Sequence, residues 1–383
     1  MVKYFVGKAK IKNWDKEDVL IWYFPEKVNY SCVFTLNDVK AHPIIFSKEV
    51  YKNYKPVSFL FANSGNANCL NGKEGYKAIL NIEKRLKDIF KIKETGLFAQ
   101  TGVIGEDFPE KNVLEVLKNL SLKDFRDLKT KEDLKLCARA IMTTDSFEKY
   151  EYYKDGEFEI YAIAKGAGMI APDMATMLCF VYTNASFSKD ELDVVLSYAV
   201  EKSFNRISVD GDMSTNDCVF LFSKENGIKV DISKFKKVLT NILKSLAIKI
   251  VKDGEGATKV MHIIVKGAKN RERALKIAKR IGNSLLVKTA IFGCDPNWGR
   301  ILAAAGSVKL GINVNNCTLL IGPYLLFSKG EKTKYDEEKV RKYMEKNEII
   351  DIVLDLGEGN SYEEFWASDL SYDYIKINAE YRT

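Results

Sequence analysis

The stretch Lys165-Gly-Ala-Gly-Met-Ile-Ala-Pro-Asp-Met-Ala-Thr-Met-Leu178 joins two apolar, β-rich runs, Phe158 to Ala164 and Thr176 to Tyr182. Ser188 then caps an amphipathic helix over Asp190 to Phe204. Strand, glycine loop, strand and helix in that order set the pattern of a mixed chain, and the pattern extends outward in both directions. Helical spacing of apolar residues predicts helices near Tyr76 to Phe90, Leu134 to Met142, Ser233 to Lys252, Arg271 to Ile281 and Glu337 to Lys346. Short β-rich runs predict strands at Ser31 to Leu36, Phe59 to Ala62, Val219 to Phe222, Lys259 to Val265, Leu285 to Phe292, Cys317 to Ile321, Ile349 to Leu354 and Asp373 to Asn378. Strands and helices interleave throughout, so the fold class is α/β (α+β mixed).

The composition narrows the chemistry. The 383 residues carry 59 Lys and Arg against 52 Asp and Glu, a net charge of +7, with 46% hydrophobic residues, which is globular rather than disordered. Only His42 and His262 are present, so multi-histidine metal centres are excluded and a Ser/His or Cys/His pair would have to use one of two rings. The seven cysteines are odd in number and contain no Cys-x-x-Cys, against both a disulfide framework and a zinc site. Without a long apolar run or a signal-like start, a reducing cytoplasm is the expected location and a membrane is not an expected partner. Gly166, Gly168 and Gly211 complete neither a G-x-G-x-x-G nor a P-loop.

A hydroxyl at Thr176, where a loop runs into a strand, is ordinarily a hydrogen-bonded structural group. A second reading follows from the scarcity of histidine. A threonine whose own α-amino group is free has a base attached, because that amine titrates at about 7.7 to 8.0 in peptides. An internal threonine gains it only if the preceding bond is cut. The Gly-Ala-Gly loop tolerates unusual backbone angles, and Ala175 leaves room for the Thr176 hydroxyl to approach its carbonyl.

On these residues the chain resembles the ornithine acetyltransferase family, enzymes of arginine biosynthesis that cut themselves before a catalytic threonine. Further stretches agree in order: Asn63-Ser-Gly-Asn-Ala-Asn68, Thr101-Gly-Val-Ile-Gly105, Met142-Thr-Thr-Asp145, Asp210-Gly-Asp-Met-Ser-Thr-Asn-Asp217, Asp253-Gly-Glu-Gly-Ala-Thr-Lys259, Gly293-Cys-Asp-Pro-Asn-Trp-Gly-Arg300 and Asn378-Ala-Glu-Tyr-Arg-Thr383. The resemblance implies layered sheets flanked by helices. It implies self-cleavage between Ala175 and Thr176 into chains 1–175 and 176–383 that stay tightly packed without a linker, two of each forming a heterotetramer. It assigns Thr176 as nucleophile and acyl carrier, Thr101 and Gly102 as the oxyanion hole, and Thr143, Lys165, Thr176, Glu255, Asn378 and Thr383 as substrate contacts, with Thr144 open as an alternative to Thr143. The implied reaction moves acetyl from N2-acetyl-L-ornithine to L-glutamate without cofactor or metal, and leaves acetyl-CoA open as a co-substrate.

Departures from the family pattern are the absence of a glycine-rich opening in the first thirty residues, Asp173 where Asn is frequent, Gln100 where Ser is usual, and Ser146 where Thr is common. Asp210 to Asp217 has the acidic spacing of a Ca²⁺ loop but lacks its final Glu, Leu221 standing there. That segment and the loop of Trp298 and Arg300 are expected as scaffold near the site. Two other functions compete: an N-terminal-nucleophile amidohydrolase or aminopeptidase, with water as acceptor, and a nucleic-acid-binding surface. The second is disfavoured because the basic residues are mostly Lys and interleave with acids.

Overall fold

The computed structural model describes residues 2–171 and 177–380. Three sheets organise it. The first is N-terminal and contains the strands Lys3–Gly7, Val19–Tyr23, Val57–Asn63 and Thr95–Gln100. The central sheet places Val28–Phe34, Cys218–Ile228, Leu178–Ala185, Phe158–Lys165 and Lys149–Asp155 side by side. The third is built around Val260–Ala268, Ile349–Asp355 and Ser361–Ser368.

The central strands are apolar on both faces, and the two-residue period assigns each face a different core. Ile163, Phe180 and Phe220 point into a core shared with Trp22, Phe59 and Phe98 of the first sheet. The helices His42–Lys52 and Lys131–Ile141 lie in that layer, the latter against strands of both sheets. Ala162, Val181 and Leu221 point the other way, onto Leu196 of the helix Lys189–Glu201 and Leu243 of Ile232–Lys252. The third sheet carries its own core, with Ile277 and Ile281 of Arg271–Gly282 packed on Met261 and Ile263. The expected layering of sheets and helices is present.

Two sequence expectations are corrected. Leu285–Phe292 is a helix, not a strand, in which Val287, Ala290 and Ile291 face inward while Leu285 and Leu286 are exposed. A short apolar run carries no period that separates the two structures, and tertiary packing decides. Asp373 to Asn378 likewise lies in a helix, Tyr372–Glu380. Its alternation of Tyr374, Ile375, Lys376 and Ile377 imitates a strand, but Ser371 Oγ accepts from the Asp373 N–H and the helical turn is closed from its first residue.

The strand Leu178–Ala185 pairs antiparallel with Phe158–Lys165 and parallel with Cys218–Ile228, which pairs in turn with Val28–Phe34. The chain on either side of residues 172–176 is therefore woven into one sheet and into the cores on both of its faces. Among the described residues, no helix is long and apolar enough to cross a membrane, and no group of three or more His, Cys, Asp or Glu is arranged to hold a metal ion.

Candidate functional site

Four elements end at one cleft. Thr101 and Gly102 follow the strand Thr95–Gln100, Thr143 follows the helix Lys131–Ile141, Lys165 ends the strand Phe158–Lys165, and Glu255 follows the helix Ile232–Lys252. All five line the cleft together with Thr144, Asp210, Tyr374 and Asn378. Thr176, Ala175 and Thr383 lie outside the described residues.

Lys165 is the hub. Its Nζ donates to Thr143 Oγ1 at 2.8 Å and to Thr101 Oγ1 at 3.2 Å. Burial pushes its ammonium below the ordinary lysine range, with Lys149 adding to the shift and Asp145, Glu255 and Asp217 opposing it. A buried cation beside two hydroxyls is suited to hold a carboxylate.

Gly102 has φ +132°, and a Cβ there would stand 2.3 Å from the Gly65 carbonyl carbon and 2.5 Å from the Asn66 nitrogen. Gly102→Ala should therefore displace the Thr101–Gly102 peptide. On the expectation that Gly102 supplies an oxyanion donor, kcat should fall by at least about 100-fold, alongside a lower melting temperature, measured by steady-state assay and thermal unfolding.

Glu255 is fixed from two sides. Its N–H donates to Ala167 O at 2.9 Å, and its Oε2 accepts from Asn378 Nδ2 at 2.8 Å. Asn378 reaches it because the C-terminal helix docks on the Gly254-Glu-Gly256 turn. Gly256 (φ +67°) lets that happen, since a Cβ there would meet the Tyr374 nitrogen at 2.4 Å. The C-terminal helix thereby brings Asn378, one turn after Tyr374, into the lining of the cleft. Asn378→Ala should free Glu255 and lower kcat/KM by about tenfold, within the range for a hydrogen bond to a charged group, with thermal stability nearly unchanged.

Beneath the cleft lies an ionic cluster that sequence reasoning missed in part. Lys149 Nζ bonds Asp145 Oδ1 at 2.8 Å and also pairs with Asp253, and all three side chains are 0 to 3% exposed. Asp145 accepts from the backbone N–H of Thr143 at 3.0 Å and of Gly166 at 2.7 Å. Burial works to raise the Asp145 pKa, but the Lys149 and Lys165 ammoniums outweigh it and hold the carboxyl well below the usual range. Asp253 accepts from Ser146 N–H at 3.1 and 3.0 Å. The cluster thus ties the backbones beside Thr143, Lys165 and Glu255 together. Asp145 and Asp253 stand in quoted motifs, whereas Lys149 opens the polar-looking strand Lys149-Tyr-Glu-Tyr-Tyr-Lys154 and reads as solvated. Its only signal is the i,i+4 spacing to Asp145.

Other expectations resolve as follows. Gln100 takes part in a buried network, donating to Asn63 Oδ1 at 2.6 Å and accepting from Asn68 at 2.8 Å. Asp210 to Asp217 borders the cleft as expected. Trp298 and Arg300 do not line it. Trp298 stacks on Phe327 and Arg300 donates to Leu286 O at 2.9 Å, so that loop supports the third sheet instead. Neither histidine lines the cleft: His262 stacks on Trp366 with ring centroids 3.8 Å apart, between Asp351 and Glu364. His42 opens the helix His42–Lys52. Trp14 and Lys12, from the unusual N-terminal lead, were not anticipated and do line the cleft.

Comparison with known proteins shows which family this chain resembles along its length. A relative in Aquifex aeolicus named arginine biosynthesis bifunctional protein ArgJ is 41% identical, over 99% of this chain and 98% of its own. A glutamate N-acetyltransferase of Methanocaldococcus jannaschii is 42% identical, over 91% of this chain and 90% of its own. The crystal structure of an arginine biosynthesis bifunctional protein argJ from Bacillus halodurans is 38% identical with a TM-score of 0.51, covering 53% of this chain and 98% of that one. The model of the ArgJ family matches residues 3–383. With its cleft built from the motifs that first suggested such a relationship, the chain is an enzyme and belongs to the ArgJ family.

Proposed function

We propose that this chain cuts itself between Ala175 and Thr176 and then carries acetyl from N2-acetyl-L-ornithine to L-glutamate on Thr176, in the cyclic route of arginine biosynthesis. The observation that carries the reading is the convergence of Thr101, Gly102, Thr143, Lys165, Glu255 and Asn378 on one cleft. In the first reaction Thr176 Oγ attacks the Ala175 carbonyl carbon. The amide C–N bond breaks, the hydroxyl proton ends on the departing nitrogen, and an ester remains. Water splits that ester, leaving a carboxyl group on Ala175 and a free α-amine and hydroxyl on Thr176.

The α-amine then serves as base for its own hydroxyl, a role no histidine in the cleft can take. Thr176 Oγ attacks the acetyl carbon of acetylornithine, and the charge on oxygen is met by the Thr101 hydroxyl and the Gly102 N–H. The ornithine amine leaves with the proton. Glutamate's amine attacks the acetyl ester in the reverse sense and restores Thr176. Lys165 holds a substrate carboxylate, Glu255 meets the substrate's amino end, and Thr143, Asn378 and Thr383 complete the binding set. The reaction as proposed needs no cofactor or metal, and acetyl-CoA stays open as a second donor.

We place this chemistry in the cytoplasm, with the 1–175 and 176–383 chains held together as a heterotetramer of two of each. The core shared across residues 172–176 supports their staying together. The Bacillus halodurans chain, which spans 53% of this one, supports the cut itself, because a cut near the middle would give such a length. Intact-mass analysis, an assay with glutamate and either acetylornithine or acetyl-CoA, and light scattering test these points. Acetate release that does not require glutamate would instead make the protein an amidohydrolase.

A further inference from the structure

The loop between Val209 and Cys218 grips the chain on both sides of residues 172–176. On the upstream side, Asp210 Oδ2 accepts from the Met169 N–H at 2.6 Å and Asp210 Oδ1 from the Ile170 N–H at 2.8 Å. Ile170 O in turn accepts from Val209 N–H at 2.9 Å and from Ser208 Oγ at 3.2 Å. On the downstream side, Asp217 Oδ1 accepts from the Met177 N–H at 2.8 Å, and Met177 O accepts from Cys218 N–H at 3.1 Å. Two carboxylates seven residues apart thus hold two backbone posts, Ile170 and Met177, that are also seven residues apart.

The loop is itself tied to the oxyanion side of the cleft. Asn216 Nδ2 donates to Gln100 O at 2.8 Å and to Ala67 O at 2.7 Å, and Thr35 Oγ1 donates to Ser214 O at 2.7 Å. Gln100 is the residue before Thr101. One rigid loop therefore fixes both posts relative to Thr101 and Gly102. A second observation concerns Asp217 alone. Its side chain is fully buried, its Oδ2 is without a hydrogen-bond partner among the described residues, and burial holds its carboxyl well above the usual pKa range. A carboxyl in that environment costs stability, and its position beside Met177 offers a compensating role.

We propose that Asp210 and Asp217 are positioning residues for self-cleavage: they clamp Ile170 and Met177, the described backbone on either side of the cut, in a fixed relation to Thr101 and Gly102. The proposal rests on the reading that the chain cuts itself between Ala175 and Thr176. The chemistry is the acyl shift and ester hydrolysis already balanced above, and the clamp adds no atoms to it. Its contribution is orientation, since ordering both ends of a short segment removes most of the search for an attacking geometry. After the cut the same loop, now in the second chain, holds Met169 and Ile170 of the first and keeps the new ends in register.

The test is a time course of cell-free synthesis followed by intact-mass analysis, using wild type, D210A, D217A, D210N and D217N. Each substitution is also placed in a Thr176→Ala background, where no cut occurs and thermal unfolding reports folding alone. D210A and D217A should slow the cut at least tenfold while unfolding within a few degrees of Thr176→Ala. D217N should recover most of the rate, because its amide oxygen still accepts from Met177. D210N should recover only part, because Asp210 accepts from the Met169, Ile170 and Asp212 amides on two oxygens and asparagine keeps one. Alanine variants that cut within twofold of wild type, or asparagine variants no faster than alanine, overturn the clamp. If the alanine variants do not fold, D210N decides: several-fold slower cutting supports the clamp and a wild-type rate overturns it. A wild-type chain that is never cut overturns the self-cleavage reading and the clamp with it, an outcome distinct from a wild-type chain that is cut beside variants that are cut equally well.

Discussion

Thr176→Ala protein should purify as one chain of 43.5 kDa with no detectable acetyl transfer, whereas wild type should yield fragments 1–175 and 176–383. Removing the nucleophile of a covalent mechanism costs more than removing any supporting group, so kcat should fall by at least about 10⁴-fold. The loss has two sources that the variant combines: no hydroxyl to attack, and no cut to liberate the α-amine. Thr176→Ser separates them, since serine supplies both groups and should be cut and active at a reduced rate. Acetylated peptide beginning at residue 176, trapped with acetylornithine and no glutamate, would identify the ester directly. An intact wild-type chain with full activity would refute the mechanism.

Lys149→Met should be the most destabilising single change in the cleft's support. It leaves Asp145 and Asp253 buried without the cation that both contact, at 0 to 3% side-chain exposure. Breaking a buried ion pair from one side typically costs about 3 to 5 kcal/mol. The loss also weakens the pH dependence at this site. In wild type the Asp145 carboxyl is held below its unfolded value, so its contribution is present above about pH 3.9 and is lost as pH falls through the lower folded value. Without Lys149, Lys165 and the Thr143 and Gly166 amides still oppose burial, so the folded carboxyl titrates closer to its unfolded value and contributes less. Denaturant titrations of both proteins at pH 7 and pH 3 should therefore show a smaller gap at pH 3, where wild type has begun to lose this contribution. A gap that is no smaller at pH 3 would mean that Asp145 is not coupled to Lys149. Because Asp145 also fixes the Thr143 and Gly166 amides, activity should fall even where the variant remains folded.

The two predictions draw on different kinds of legibility. Thr176 is readable from the sequence because its chemistry is local: a hydroxyl, a small residue before it, a glycine loop upstream and a strand after it. The same holds for the apolar strands Phe158–Lys165 and Cys218–Ile228 and for the helix Ile232–Lys252, whose periods leave one packing solution. Lys149 is not readable in that way. Its neighbours alternate polar and aromatic residues, and its burial depends on Asp253, which is 104 residues away. No local period encodes that distance.

The helices Leu285–Phe292 and Tyr372–Glu380 make the same point from the backbone. Each is short enough that strand and helix patterns coincide, and contacts made elsewhere in the chain select between them. For the C-terminal helix the choice matters chemically, because an α-helical turn places Tyr374 and Asn378 on the same side and so brings Asn378 to Glu255.

By itself the sequence determined the mixed α/β class, the candidate nucleophile, the family, and the set of residues to be gathered around Thr176, because motifs record chemistry that each short segment must carry. Tertiary structure alone decided that Lys165 bridges Thr101 and Thr143, that Asn378 holds Glu255, that Lys149 neutralises two buried carboxylates, and that Asp210 and Asp217 grip the chain on both sides of residues 172–176. Those are contacts between segments far apart in the chain, set by how sheets and helices close on one another, and no stretch of sequence read on its own contains them.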